Sequence, residues 1–524
     1  MSTKRVLTGI CLSAAVALTI GTGTIHRASA RGGAADPEMP MWMELVRRQA
    51  SLAPRFGPPV RTLPPATIPQ TVSSADANGV VSSYQPKGAT KTAGNPFFSS
   101  LGTNGRTCFT CHQPESGWSI TPQAATAVFM KSRGTDPLFA PVDGANCPNL
   151  GAAARTLGQK AAASSQLLTR GDIRVFLPIP ANAEFQVRII HDPYGCENNA
   201  TYGLPSGGIS MYRRVMNSSN LTMNGQFSSD HTTVNVQGAI MWDGREASLE
   251  SQFRDATLGH AQAANAPTSQ QIDDGVAFES GVFTAQSFDN LAKSLTANGA
   301  TGGPQALSND PPFLPATGLE GMTMFDAWAN TRSAAQASIK RGQDIFNNRQ
   351  FTFRGVAGAN DVFGNPATGT CAGCHNNQNI GSSTNAGGKH LGIGDNSAVD
   401  QSGNQNTATV LPPAQDQPLF SFLCPRDASG NSIIPFFSNP VTIGGITYDD
   451  FRTTDPGMAL ISGKCKDLGK FKIPRLRGLA SRAPYFHGGN AATIADVVDF
   501  YNKRFSLELN KQERQDLINF LGSL

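Results

Sequence analysis

Charge is scarce in this chain of 524 residues: 15% of them are Asp, Glu, Lys or Arg, and the formal net charge is +4. The Lys and Arg residues are dispersed, with no basic block, so nucleic acid is not a partner the sequence suggests. No apolar run reaches the roughly 20 residues that a spanning helix needs, so no membrane insertion is expected of the mature chain. The apolar stretch from Val6 to Ile20 follows Lys4 and Arg5 and leads to Ala28-Ser29-Ala30. That pattern is a secretory signal, residues 1–30, with an A-x-A cleavage site, and it predicts an exported, periplasmic protein that starts near Arg31. Convincing strand patterns are few, which leaves a mainly α chain with long loops.

Glycine and proline are what the chain does have, at 54 and 34 residues. They imply long ordered loops around modest helices, as when a bulky cofactor supplies part of the core. The length exceeds what one core organises, so two or more domains are expected. Removing Cys11 with the signal leaves eight cysteines, and four of these form two C-x-x-C-H units: Cys108-Phe-Thr-Cys111-His112 and Cys371-Ala-Gly-Cys374-His375. The spacing suits covalent haem, two thiols adding to the vinyl groups while the adjacent His reaches the iron. Zinc would need two further ligands at short spacing, and neither unit has them. A redox-active pair would want a βαβ setting, and the flanks are loop, Gly-rich and helical. The other four cysteines are assigned to bridges Cys147–Cys196 and Cys424–Cys465 because each pair stays within one haem region, although connectivity is not legible from sequence.

The chain divides around the two units. Residues 31–92, Pro-rich and Ser-rich from Pro54 on, read as an extended N-terminal arm. Residues 93–330 form a first haem domain with polar loops such as Gly299 to Pro315, and residues 331–524 a second. Ser333 caps a helical pattern that runs to Phe346 ahead of the second unit. A last helix near Lys511 to Leu521 carries Leu517, Ile518 and Leu521 on one face, placed to pack across the first helix of a cytochrome fold.

Further motifs carry a family resemblance. Trp242-Asp243-Gly244-Arg245 followed by Leu249-Glu250-Ser251-Gln252, Leu476-Arg477-Gly478-Leu479, Ala483-Pro484-Tyr485-Phe486-His487-Gly488-Gly489, and Thr493 to Tyr501 stand in the order found in bacterial di-haem cytochrome c peroxidases and MauG-like enzymes. From about Asn95 onward the chain resembles that superfamily, which implies two cytochrome c-like haem domains. It further implies that the haem on His112 reacts with hydrogen peroxide and the haem on His375 passes electrons. Glu250 matches the distal acid, Arg245 a propionate partner and Gln252 a weaker distal candidate. Where several members place a distal histidine, sixteen residues after the proximal one, this chain has Val128, and no His occurs between His112 and His191, which predicts an open first iron. Where cytochrome c-donor peroxidases place a ligating Met this chain has Tyr501, as MauG-like enzymes do, and Met458 is the rival ligand. His487 belongs to the C-terminal signature, as a propionate partner, a lining of the inter-haem route or a structural residue. Trp118 and Trp242 are candidates to bridge the haems, with a plain core role as the alternative. The resemblance also implies calcium held by the carbonyls of Arg482 and Pro484. His191, His231, His260 and His390 read as isolated.

Three functions compete on this footing. One is a peroxidase, an oxidoreductase fed by a small cytochrome c or cupredoxin. Another is a MauG-like oxidase of a protein or aromatic substrate, and the third a dihaem protein that only transfers electrons. An oxygen-dependent variant resembling the dihaem rubber-cleaving oxygenases stays open, and the extra length between His112 and Trp242 is expected to shape substrate access.

Overall fold

The helix that precedes the second haem unit begins where its cap requires. In the computed structural model, Ser333 accepts from the Gln336 amide and the helix Ala334–Asn348 follows, burying Gln336, Ile339, Gly342, Gln343 and Phe346 on one face. Asn510 caps the last helix, Lys511–Gly522, which crosses the first. At the crossing sits Gly342, where a Cβ would lie 2.0 Å from the Asp516 carbonyl oxygen and 2.6 Å from Phe520 Cβ. Any larger residue there would push the helices apart, and with them the core of Phe325, Trp328, Phe346, Leu517 and Phe520. That core backs Ala372, inside the second C-x-x-C turn.

The structure describes residues 63–197, 207–223, 226–227, 234–235, 240–309, 321–375, 381, 387–397 and 411–524. The signal segment, the arm up to residue 62 and His231 lie outside the described residues. Among the described residues no helix is long and apolar enough to cross a membrane.

Beside the expectation of a mainly α chain, 34% of the described residues are helical and 21% are in strands, close to the usual mixture of globular proteins. The strands escaped notice because they are short and alternate only briefly. Within the supposed arm, Thr71–Ala75 and Gly79–Tyr84 form an antiparallel hairpin, turned where the Asp76 carboxylate accepts from the Asn78 and Gly79 amides at 2.8 Å each. Gly79–Tyr84 then pairs with Phe283–Asp289, so this part of the arm belongs to a four-stranded sheet.

A second antiparallel sheet orders Pro440–Ile443, Ile446–Thr453, Leu419–Pro425 and Gln186–His191. Its last pairing ties the first-haem region to the second across the boundary expected near residue 330, and all described residues fall within one unit. Phe185, Phe420, Phe422, Phe437 and Phe451 fill the core of this sheet. A further ladder, Asp172–Pro178 against Gly208–Arg214, carries Arg213 and Arg214 inward. The bridges are Cys147–Cys196 and Cys424–Cys465, the pairing expected.

Replacing Cys424 and Cys465 together by Ala should lower stability by about 2–4 kcal/mol, because the open chain regains the entropy of a loop that the bridge closes. Thermal unfolding of the double variant checks this, and a melting temperature equal to the parent's would show that Phe packing alone holds the sheet.

Candidate haem cavities

Each C-x-x-C-H unit folds as a single turn that brings its thiols and imidazole to one cavity. In the first, the His112 amide donates to the Cys108 carbonyl at 3.0 Å; in the second, Thr370 caps Cys371–Cys374 and the His375 amide donates to the Cys371 carbonyl at 2.9 Å. All four of these cysteines are free thiols. Cys108, Cys111 and His112 line one cavity. Cys371, Cys374 and His375 line a larger one of about 910 Å³.

The two histidines are held alike. His112 Nδ1 lies 2.9 Å from the Trp118 carbonyl oxygen, and His375 Nδ1 lies 2.7 Å from that of Gly381, six residues on in each case. A carbonyl only accepts, so Nδ1 carries the proton and Nε2 keeps its lone pair, the tautomer a metal-binding imidazole needs. Desolvation pushes the His112 pKa down to about 4 and that of His375 below its ordinary value, so both imidazoles are neutral. Trp118 reaches its place with φ +60°, a left-handed conformation costly for a side chain of this size. Its indole is fully buried and donates to Ser83 Oγ at 2.8 Å, so the N-terminal sheet holds it there. Gly381 also has positive φ, and a Cβ there would meet Met322 and Leu476 at 2.6 and 2.9 Å.

The cavities share a wall that includes Arg214, Asn217, Trp242, Lys472 and Arg475. Trp242 donates from Nε1 to the Arg214 carbonyl at 2.8 Å and its own carbonyl accepts from the Lys472 amide at 2.8 Å. Trp118 lines neither cavity; its carbonyl serves His112 instead. Burial pushes the guanidinium pKa of Arg214 and of Arg482 down to about 10, that of Arg475 down to about 9, and Lys472 well below its usual range. The carboxyls beside them, Asp172 and Glu279, are themselves pushed up to about 8 by burial and hold their protons at neutral pH. Buried guanidiniums beside neutral acids favour anionic occupants, and haem propionates are carboxylates. Thiol spacing, imidazole tautomer and cationic wall therefore fit a haem in each cavity.

Calcium fits less well. The Arg482 carbonyl accepts from the Arg214 guanidinium at 3.1 Å, a cation where a second cation was expected. Among the described residues no cluster of three His, Cys, Asp or Glu side chains is placed to hold a metal ion.

The remaining site candidates separate by helix phase and burial. In the Trp-Asp-Gly-Arg turn, Asp243 is buried and accepts from Arg245 Nη1 at 2.8 Å and Arg213 Nη1 at 2.5 Å. Arg213 also grips Asp455 with two bonds, 2.6 and 2.8 Å. Burial would raise the Asp243 pKa, but the two guanidiniums hold it below the ordinary carboxylate range. Arg245 and Gln252 line the first cavity. Glu250 is half-buried as the second residue of the helix Leu249–Gly259 and is not among the lining residues; its charge is one cause of the raised pKa of Glu279, which does line it. Val128 is buried in the core.

Tyr501, from the helix Ile494–Phe505, lines the second cavity with His375. Burial and the nearby thiols push its pKa up, and among the described residues its hydroxyl has no hydrogen-bond partner. Met458 does not line the cavity; its sulfur lies over Gly388. His487 lines it too, stacked on Phe471 at 3.8 Å and edge-on to Trp242 at 6.4 Å, with its pKa pushed down to about 4 by burial.

Three histidines expected to stand alone are partnered, His191 through its Nε2, 3.1 Å from the Gln415 carbonyl oxygen. His390 Nε2 meets Asp395 at 2.9 Å and Ser397 at 2.8 Å, and His260 is bonded to Asp143 on the wall of the first cavity. Sequence reasoning missed Asp143, His260, Glu279 and the cations of the shared wall. Arg106, two residues before Cys108, was the one local signal.

No family model matches the chain. Cytochrome-c peroxidase IdrP1 of Denitromonas iodatirespirans is 37% identical to it over 93 residues, 15% of this chain and 25% of that protein. Cytochrome c551 peroxidase of Nitrosomonas europaea is 32% identical over 95 residues, 16% of this chain and 28% of that protein. The chain thus matches about a quarter of the length of these relatives. A solved MauG-like protein associated with microbial copper homeostasis is 13% identical over 82% of this chain and 87% of its own, with a TM-score of 0.31. That likeness carries no argument.

An Arg213→Met variant removes the guanidinium from the buried Asp455 and leaves the buried Asp243 with Arg245 alone, and should cost about 3–5 kcal/mol. Denaturant unfolding measures it. A loss below about 1 kcal/mol would mean that the two acids are held without Arg213.

Proposed function

We propose that this chain, which resembles the bacterial di-haem cytochrome c peroxidases and MauG-like enzymes, is an exported oxidoreductase that binds two c-type haems and reacts with hydrogen peroxide at the first. The observation that carries the reading is the pair of cavities, each with two thiols and a neutral imidazole whose Nδ1 is already committed, separated by a wall that includes Trp242. A bound haem would supply a redox-active iron able to react with peroxide and to exchange electrons.

The protein groups then divide the work. His112 and His375 would hold the irons, their Nδ1 atoms being engaged elsewhere, and Cys108, Cys111, Cys371 and Cys374 would tether the rings. Arg214, Lys472, Arg475 and Arg482 face the propionates. In the first cavity Arg245 and Gln252 orient the oxidant, and Glu279, protonated at neutral pH, is a proton donor with Glu250 behind it. Trp242 and His487 lie on the route between cavities. Electrons would come from a small cytochrome c or cupredoxin in the periplasm.

A second reading is a MauG-like oxidase of a protein or aromatic substrate. Tyr501 favours it: it lines the second cavity and, among the described residues, its hydroxyl has no hydrogen-bond partner, so it would suit an oxygen ligand to the second iron, which would stabilise the oxidised state.

Electron paramagnetic resonance of the ferric protein tests both. One high-spin and one low-spin signal are expected, with both lost after one equivalent of hydrogen peroxide. Two low-spin signals unmoved by peroxide would leave an electron-transfer protein. In Tyr501→Phe the low-spin signal should shift, and an unchanged spectrum would remove Tyr501 from the iron.

A further inference from the structure

One cluster on the wall of the first cavity has no part in holding a haem or in the route between the cavities. The Asp143 side chain is 4% exposed, and its two oxygens are taken by Arg106 and by His260 Nδ1. Arg106 is fixed in turn, donating to the Pro137 carbonyl at 2.7 Å and the Leu138 carbonyl at 2.8 Å. Its guanidinium and His260 keep Asp143 ionised, although burial acts in the opposite direction. The His260 main chain is pinned as well, its amide donating to Ala256 O at 2.8 Å and its carbonyl accepting from Asn104 Nδ2 at 2.8 Å.

A carboxylate at Nδ1 holds the ring proton there and leaves Nε2 as a lone pair, the arrangement that orients a histidine base. Gln252, Ala256 and His260 stand four residues apart along one face of the helix that ends at Gly259, and all three line the cavity with His112. The other acid on this wall, Glu279, already holds its proton at neutral pH and cannot accept another.

We propose that His260 is the proton acceptor of the first cavity, oriented for that task by Asp143 and Arg106. Hydrogen peroxide entering the cavity gives one proton to Nε2: the O–H bond breaks, its electron pair stays on oxygen, and hydroperoxide anion and imidazolium result. No electron changes owner in this step, and Asp143 compensates the new positive charge. The proposal rests on the reading that peroxide enters this cavity, and hydrogen cyanide separates the two claims, because it too must lose a proton to bind ferric haem as an anion.

Stopped-flow mixing of the ferric holoprotein with cyanide and, separately, with hydrogen peroxide is the test. His260→Gln should slow both associations about a hundredfold, with the haem spectra of the resting protein unchanged. His260→Ala should be slowed likewise and recover with added imidazole, which a loss of fold would not allow. Asp143→Asn should slow both about tenfold. If the parent ignores peroxide yet His260→Gln slows cyanide, the peroxidase reading falls and the role of His260 stands. Rates within twofold of the parent in His260→Gln overturn the proposal. So does a low-spin first haem that becomes high-spin and binds cyanide faster in that variant, since His260 would then be an iron ligand.

Discussion

A neutral imidazole has one proton and two nitrogens, and the partner of the first nitrogen decides what the second can do. This constraint recurs three times around the cavities. Trp118 and Gly381 offer carbonyls to His112 and His375, which leaves on each Nε2 a lone pair that could bind a metal. Asp143 offers a carboxylate to His260, which leaves a lone pair suited to a proton. Much of the surrounding architecture serves these bonds. Trp118 holds an unfavourable backbone conformation because its indole is clamped to Ser83, so a hairpin in the supposed arm helps to hold His112 in the first cavity. Gly381 needs the absence of a side chain because Met322 and Leu476 close over it.

Buried charge is the second organising force, and it is handled in two ways. Arg213 is compensated inside the protein by Asp243 and Asp455, which welds the Trp-Asp-Gly-Arg turn to the turn around Asp455 and positions Trp242. The cations of the shared wall meet carboxyls that burial has neutralised. Proteins seldom retain such an imbalance without an anionic occupant, because each desolvated cation costs several kcal/mol. A single wall serving two cavities lets one set of cations face both.

What was legible in the sequence was local. The Cys-x-x-Cys-His turns, the cap at Ser333 and the crossing of the last helix follow from spacings of a few residues, and the structure has them. The disulfide pairs, assigned by keeping each within one haem region, also stand as expected. Sheets were missed because the strands are short and pair over long separations, as Gln186–His191 does with Leu419–Pro425. Glu250 shows how far a motif reaches. It places the residue on a helix, yet Glu250 lies two positions, about 200° of turn, from Gln252, and it is the face of Gln252 that meets the cavity. Asp143 and His260 are 117 residues apart and carry no common signature, so only the folded chain brings them together.

The two cavities differ in a way that bears on the division of labour between them. The second is walled largely by aromatic and aliphatic side chains, among them Phe346, Phe351, Phe353 and Phe471, with Tyr501 beside its histidines and Lys389 and Arg482 added to the groups of the shared wall. The first gathers Arg106, Asp143, Arg245, Gln252, His260 and Glu279. Burying so many polar groups lowers stability unless each is satisfied, and Glu279 keeps one oxygen without a partner. Local departures from a well-packed apolar interior concentrate where chemistry is done. An electron carrier gains nothing from acids and bases beside its iron, whereas a site that must move protons on a small oxidant needs them. On the proposed reading, this asymmetry favours proton chemistry at the first cavity and electron storage at the second.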